Sequence, residues 1–415
     1  MTIHANSIDV NDAFFEPLTG LVAKSPASRP CPEISDENWL RLGLQRVLES
    51  VSSGRGFLQE HGPRFEIIPK RSNYFAALQN LRRLEVIRDV NLALLESAAF
   101  GDRLASFPEL EGYECFALDG HWHQGATHDP RHQGAKVATG HCFSLNLRGH
   151  QLCHLAVGEG LHEHDMSMLK RIKPTGLRQG VTQGKRVIIV YDKAGIDFDY
   201  WRRCRRECAL YFLSRPKDGM IFGWLDPREI DRSDPRNGGV VEDRSVITRT
   251  GLLLRLIRYT EPEHGGTYHF LTNEPDLPPG VLVELYRRRW ELEKVFDEIK
   301  HKLDERKAWA TSLVAKAAQA QFVAIAHNLL LLYENRLERE HGVTNVAEDQ
   351  RRAKRQTDLQ EKAQSASRKI PSLLLSPRPA TQRSLKFVRW LRHAIRENLA
   401  EATAVPRLAM LYATL

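Results

Sequence analysis

Residues 279–303 read PGVLVELYRRRWELEKVFDEIKHKL, a run with two different periodic faces. Pro279 and Gly280 open it and neither residue type recurs before Leu303, so the spacing predicts one helix over Pro279–Leu303. At about 100° per residue, Leu285, Leu292, Val295, Phe296, Ile299 and Leu303 gather within about 100° of one another, the width of a stripe that packs a helix onto a sheet. Beside it, Tyr286, Arg289, Glu293 and Lys300 fall within about 60° of one another. One edge of the helix thus carries a carboxylate flanked by two cations and a phenol. Such an edge alone is as consistent with a solvated i,i+4 ion pair, worth about 0.2–0.5 kcal/mol, as with a site.

Upstream, short apolar runs alternate with turns. ECFALDG, VATGHCFSLNL and LCHLAVG read as three consecutive strands, His162–Ile172 as a helix, KRVIIVYD as a β-branched strand buried on both faces, DYWRRCRREC as a basic helix and ALYFLS as a fifth strand. This order, closed by the long helix, resembles the α/β ribonuclease H-like fold, in which carboxylates gather at the ends of central strands and on the last helix. Asp119 is expected at the end of the first strand, Asp192 at the end of the fourth and Glu293 on the helix, so that all three meet at one edge of the sheet. Three convergent carboxylates repel one another and form an oxygen-ligand set for Mg²⁺ or Mn²⁺. Asp197 and Asp199 lie close enough in the chain to compete with Asp192.

The flanks differ in texture. Residues 1–34 read as irregular, and Asp36 opens an amphipathic helix through Val51. A second helix or helix pair follows, carrying Lys70, Arg71, Arg82, Arg83 and Arg88, which suits a DNA-binding region over residues 1–108. Residues 216–278 form a turn-rich segment with β-type runs, more plausible as an inserted β-rich subdomain of a catalytic unit over 109–335 than as a loop. Residues 312–337 are apolar nearly all round, as a buried helix would be. The remainder, 336–415, holds either a basic linker or an exposed helix, then a final amphipathic helix from Phe387, a helical region for dimerisation or DNA contact.

A net charge of +8 and a pI near 9.2 make an acidic polymer the expected partner, nucleic acid first. Six cysteines without a C-x₂-C pair argue against a zinc ribbon or disulfide framework. Nine of the 17 histidines lie between His121 and His164, but His121-x-His123 and His162-x-His164-Asp165 lack the spacing that completes a tetrahedral site. No stretch is long and apolar enough to span a bilayer, so a cytoplasmic, nucleoid-associated protein is expected.

Tyr286-x₂-Arg289-x₃-Glu293-x₆-Lys300 resembles the signature of bacterial insertion-sequence DDE transposases of the Tyr-Arg-Glu-Lys subgroup, insertion sequence family four. The resemblance covers residues 110–335. It implies a cut-and-paste transposase that binds terminal inverted repeats as a dimer, with Asp119, Asp192 and Glu293 as metal-binding catalytic carboxylates. Tyr286, Arg289 and Lys300 then contact DNA, and Trp224, on the inserted segment, is a candidate to stack on an unpaired base. Two such ions about 3.5–4 Å apart serve phosphodiester cleavage and strand transfer alike. The subgroup's second aspartate is followed by a small residue and then an aromatic; Ala194 fits, and Phe198 comes one position late. The alternatives are a transposase-derived regulator that does not cut, and a metal-dependent nuclease of the same fold.

Overall fold

A computed structural model describes residues 8–49, 53–61, 70–160, 163–261, 265–365 and 383–413. Its centre is a nine-stranded mixed sheet. The strands are β1 (Tyr113–His123), β2 (Thr139–Asn146), β3 (Leu152–Val157), β4 (Arg186–Val190), β5 (Leu210–Ser214), β6 (Gly223–Pro227), β7 (Val240–Ile247), β8 (Leu253–Thr260) and β9 (Thr267–Thr272). Their spatial order is β3-β2-β1-β4-β5-β9-β8-β7-β6. β4 runs parallel to both β1 and β5, and the other neighbours are antiparallel. The five strands read from sequence are all present, in the expected order along the chain. The segment 216–278 holds four strands, which extend the same sheet and form none of their own, joined to β5 by the pairs Ser214–Leu271 and Leu213–Thr272.

The helices are α1 (Val10–Phe15), α2 (Leu21–Lys24), α3 (Asp36–Glu49), α4 (Gly54–His61), α5 (Arg71–Leu78), α6 (Leu81–Ser97), α7 (Asp165–Arg171), α8 (Phe198–Cys208), α9 (Pro279–Arg288), α10 (Trp290–His301), α11 (Leu313–His341), α12 (Val346–Ser365), α13 (Leu385–Arg396) and α14 (Glu401–Ala413). Two of them, α1 and α2, lie where the sequence reads as irregular; Asp9 caps α1 by accepting from the Asp12 N–H at 2.7 Å. The C-terminal amphipathic helix is two helices, turned at Asn398, whose φ is 46°. His162, expected in the helix before β4, lies outside the described residues.

Strand alternation gives the sheet two cores. Cys115, Ala117, Ile188 and Val190 point to the side covered by α9, α10 and α11, in a core continuous with the N- and C-terminal helices. Leu118, Val187, Ile189 and Tyr191 point to the side covered by α7 and α8. α11 is buried along most of its length. Its Asn328 seals the backbone of β3, accepting from Leu152 N–H at 2.8 Å and donating to the Leu152 carbonyl at 3.0 Å, so an otherwise open edge is covered. In the N-terminal region the arginines divide. Arg82 forks onto Asp36 at 2.6 and 2.8 Å, Arg83 donates to the Ile34 carbonyl at 2.8 Å, and Lys70, Arg71 and Arg88 remain exposed.

The stretch 279–303 departs from expectation at one residue. Its apolar stripe is buried throughout, but the helix breaks at Arg289 into α9 and α10. There Arg289 N–H donates to Tyr286 and Leu292 N–H to Arg289, both at 3.1 Å and both three residues back, a tightened turn that interrupts the α ladder. Arg289 turns inward at this break, while the next residue, Trp290, is 59% exposed.

Candidate active site

β1 passes beyond its parallel neighbour, and that overhang builds the site. Pairing of β1 with β4 ends at Ala117–Val190, whereas β1 continues to His123 alongside β2. Asp119 therefore lies inside the strand, not at its end as expected, two residues past the last parallel pair. Asp192 lies two residues past the same pair on the other chain segment, so the register brings both to one level of the sheet edge. Asp192 caps the short turn Lys193–Gly195, its Oδ1 accepting from Ala194 N–H at 2.7 Å.

The turn at Arg289 brings the helix to this edge. Arg289 Nη1 donates to Asp119 Oδ2 at 2.5 Å and lies 3.7 Å from Glu293 Oε1. The Arg289 and Asp119 side chains are only 8% and 14% exposed. Burial pushes the Asp119 carboxyl up to about 7; Arg289 opposes this, and Glu293, hydrogen-bonded to Asp119, adds to it. Asp192 completes the field around the guanidinium, which is raised above its ordinary value by Asp119, Tyr286, Glu293 and Asp192 against the cost of burial. Among the described residues, no three His, Cys, Asp or Glu side chains stand as a ready-made cation site.

The two competing aspartates are committed elsewhere. Asp197 caps α8, accepting from Tyr200 N–H at 2.9 Å, and pairs with Lys170. Asp199 is exposed and lies 3.7 Å from Arg202. Tyr286 is buried, its ring 5.0 Å from Phe270, and Lys300 is half-buried on the same edge as Glu293. Trp224 lies on β6, 61% exposed beneath the guanidinium of Arg244. It borders a cleft of about 420 Å³ lined also by Arg215, Lys217, Ile221 and Phe222.

His128, His132 and His164 are exposed, whereas the other described histidines of this stretch are interior. His121, His123, His141 and His154 form a chain of rings 4.9, 4.8 and 5.2 Å apart on the α10–α11 side of the sheet, each at most 3% exposed. Burial holds them neutral, with His121 lowered to about 2, His123 to about 4, His154 to about 3 and His141 well below its usual range. His121 packs on Phe296 at 4.6 Å and faces the core.

Two groups at this edge escaped the sequence reading. Asp165, the first residue of α7, lies over Gly120, the residue after Asp119. Tyr191, the residue before Asp192, is 1% exposed and its hydroxyl has no hydrogen-bond partner. A glycine beside a candidate catalytic aspartate was the available signal, but only the fold shows which chain segment returns to it.

A family model for the transposase DDE domain matches residues 115–329. A protein of Sinorhizobium fredii (strain NBRC 101917 / NGR234) named “Putative transposase y4zB” is 28% identical over 146 residues, 34% of this chain and 41% of that protein. The chain thus spans less than half the length of that relative. The cryo-electron-microscopy structure of a piggyBac transposase synaptic complex with hairpin DNA aligns over 100% of this chain and 86% of that one, at 11% identity and a TM-score of 0.38.

Proposed function

The chain belongs to the transposase DDE domain family, and from that premise we propose that it cleaves and joins DNA strands using Asp119, Asp192 and Glu293. The observation that carries this reading is the shared guanidinium. Asp119 and Glu293, 174 residues apart in sequence, both contact Arg289, with Asp192 in the same field. The donor set is all oxygen and its charge is excessive without a cation, which fits Mg²⁺ or Mn²⁺ held by these three side chains. Bound there, such an ion polarises a phosphoryl oxygen and lowers the pKa of a coordinated water or 3′-hydroxyl.

The chain's own groups supply the rest. Asp119, protonated below about 7, gives up its proton before it can ligate. With a cation held by the carboxylates, Arg289 would be free to fork onto a DNA phosphate, and Lys300 would act as a point charge on a second. Tyr286 adds a hydrogen bond beside them, and Trp224 stacks on an unpaired base. The fold we assign is ribonuclease H-like, a reading supported by the strand order β3-β2-β1-β4-β5. Within it, residues 109–335 are the catalytic unit, with 216–278 as its β-rich insertion. Residues 1–108 are the DNA-binding region, and 336–415 serve dimerisation or DNA contact. The Tyr-Arg-Glu-Lys signature assigns the chain to that insertion-sequence subgroup, acting on its own terminal inverted repeats and on target DNA as a homodimer in the cytoplasm. No helix among the described residues is long and apolar enough to cross a membrane.

The test is a gel shift and a nicking assay on the same labelled DNA, taken from the sequences flanking the gene. Asp119→Asn and Glu293→Gln are expected to bind as wild type and to cut at least a hundredfold more slowly in Mg²⁺, about 2.7 kcal/mol of transition-state stabilisation. Cleavage at the wild-type rate by either variant contradicts the assignment, and cleavage without strand joining by the wild type points to a nuclease.

A further inference from the structure

We propose that Arg383 is a positioning residue for Glu293, clamping from behind the helix that carries this carboxylate; this rests on the metal-dependent reading above. The break at Arg289 gives such a clamp its purpose. α10 is only 12 residues long and the tightened turn at Arg289 interrupts the ladder from α9, so α9 does not by itself fix the orientation of α10. Glu293 stands in the first turn of α10, its side chain 43% exposed. Glu298 lies about 140° further round the same helix and is buried. The apolar stripe of Val295, Phe296 and Ile299 packs α10 down without fixing its rotation, because apolar contact is non-directional. A directional hold on Glu298 sets that rotation, and with it where Glu293 points.

The hold comes from the C-terminal region. Arg383, just ahead of α13, donates to both oxygens of the Glu298 carboxylate, from Nη1 to Oε1 at 2.5 Å and from its backbone N–H to Oε2 at 2.6 Å. Side chain and main chain of one residue thus fork onto one carboxylate and fix its plane, with the two side chains 3% and 1% exposed. The guanidinium is itself fixed to α11. Its Nη2 donates to the His327 carbonyl at 3.1 Å, and its Nη1 reaches His327 Nδ1 at 3.3 Å. His327 Nε2 faces the His150 carbonyl at 3.1 Å and must donate to it, which leaves Nδ1 to accept. Burial raises the Glu298 carboxyl, but Arg383 and His327 outweigh it and hold it down at about 2, so the clamp keeps its charge. Further contacts close the same joint. Lys302, the cap of α10, donates from Nζ to the Arg383 carbonyl, and Arg392 of α13 donates to the Lys302 carbonyl at 2.7 Å. The C-terminal region therefore grips α10 on its buried side and at the end away from Glu293.

The experiment compares full-length Arg383→Gln, Arg383→Lys and Glu298→Gln with wild type, at a temperature below every melting point. Mn²⁺ affinity is read by electron paramagnetic resonance of free Mn²⁺, DNA affinity by gel shift, and the nicking rate at saturating DNA. Arg383→Gln and Glu298→Gln are expected to bind DNA as wild type, while Mn²⁺ affinity and saturated rate each fall about tenfold. Arg383→Lys keeps the backbone N–H on Glu298 and one charge, and should fall between them and wild type. Glu298→Gln, nearly unchanged in shape, carries the test if Arg383→Gln does not fold. A merely structural Arg383 predicts lower melting temperatures with Mn²⁺ affinity and saturated rate equal to wild type, and that result overturns the proposal. Glu293→Gln separates this inference from its premise. If Glu293→Gln is inactive while the Arg383 and Glu298 variants bind Mn²⁺ and nick as wild type, the triad stands without the clamp. If Glu293→Gln nicks as wild type, or the wild type neither binds Mn²⁺ nor nicks DNA with it, the metal-dependent reading falls and takes this one with it.

Discussion

Arg289→Gln removes the cation that contacts Asp119 and Glu293, and its effect on stability depends on pH and metal together. In the wild type the guanidinium is 2.5 Å from Asp119 with both side chains nearly out of solvent. Removing one partner of such a pair costs about 3–5 kcal/mol when the remaining charge has no alternative. Asp119 has one, because its carboxyl takes up a proton near 7. Its folded-state value lies above the ordinary 3.8, so protonation favours the fold at low pH and that contribution disappears as pH rises through about 7. Without Arg289 the folded value rises further. The variant should therefore lose about 2 kcal/mol at about pH 8, where the wild-type carboxylate is ionised, and almost nothing at about pH 6, where both proteins carry the proton. Millimolar Mn²⁺ at pH 8 should restore most of the loss by replacing the missing charge. Urea unfolding of both proteins at the two pH values, with and without Mn²⁺, measures this. An equal loss at pH 6 and pH 8, unaffected by metal, would mean that Arg289 is packing and not charge compensation.

Two further outcomes follow from the site and its surroundings. Without metal, Lys300→Gln should reduce the slope of log K against log salt for DNA binding by about one unit while Arg289→Gln leaves it unchanged; in Mn²⁺ both should reduce it, and an unchanged slope for Arg289→Gln in Mn²⁺ would remove Arg289 from the DNA contacts. Six buried histidines, His121, His123, His141, His150, His154 and His327, are held below their ordinary value, so the unfolded chain gains protons that the folded one refuses as pH drops below about 6.5. At about pH 5.5 His121, His123, His141, His150 and His154 each remove about 1.4 kcal/mol, offset by about half through Asp119 and Glu305, both raised to about 7, for a net loss of roughly 3 kcal/mol; stability flat between pH 7.5 and 5.5 would show that the rings are hydrated or already charged.

What was legible in the sequence followed from short-range periodicity. The β-branched run before Asp192 and the alternation in the three strands from Glu114 specify their elements because side chains two apart share a face. The six apolar residues from Leu285 to Leu303 specify a buried stripe for the same kind of reason. The helix break at Arg289 was not legible, since no glycine or proline marks it in the sequence. Nor was the inward turn of Arg82 and Arg83 toward Asp36, because a charge run reads identically whether its partner is water, a phosphate or a carboxylate some 46 residues away. Asp165 could not be found by spacing either. It sits beside histidines in the chain, and only the return of α7 across the sheet edge brings it onto Gly120.

The identity of the second aspartate is the sharpest test, because Asp192, Asp197 and Asp199 lie within one short segment and only Asp192 is level with Asp119. The measurement is the rate of Mg²⁺-dependent nicking of the flanking-sequence DNA by Asp192→Asn and Asp197→Asn, with DNA affinity measured in parallel. Asp192→Asn should cut at least a hundredfold more slowly than wild type with unchanged affinity. Asp197→Asn, which keeps a capping oxygen for α8 but loses the ion pair with Lys170, should melt slightly earlier and keep its rate. Wild-type nicking by Asp192→Asn, or the rate loss falling on Asp197→Asn instead, would contradict the account.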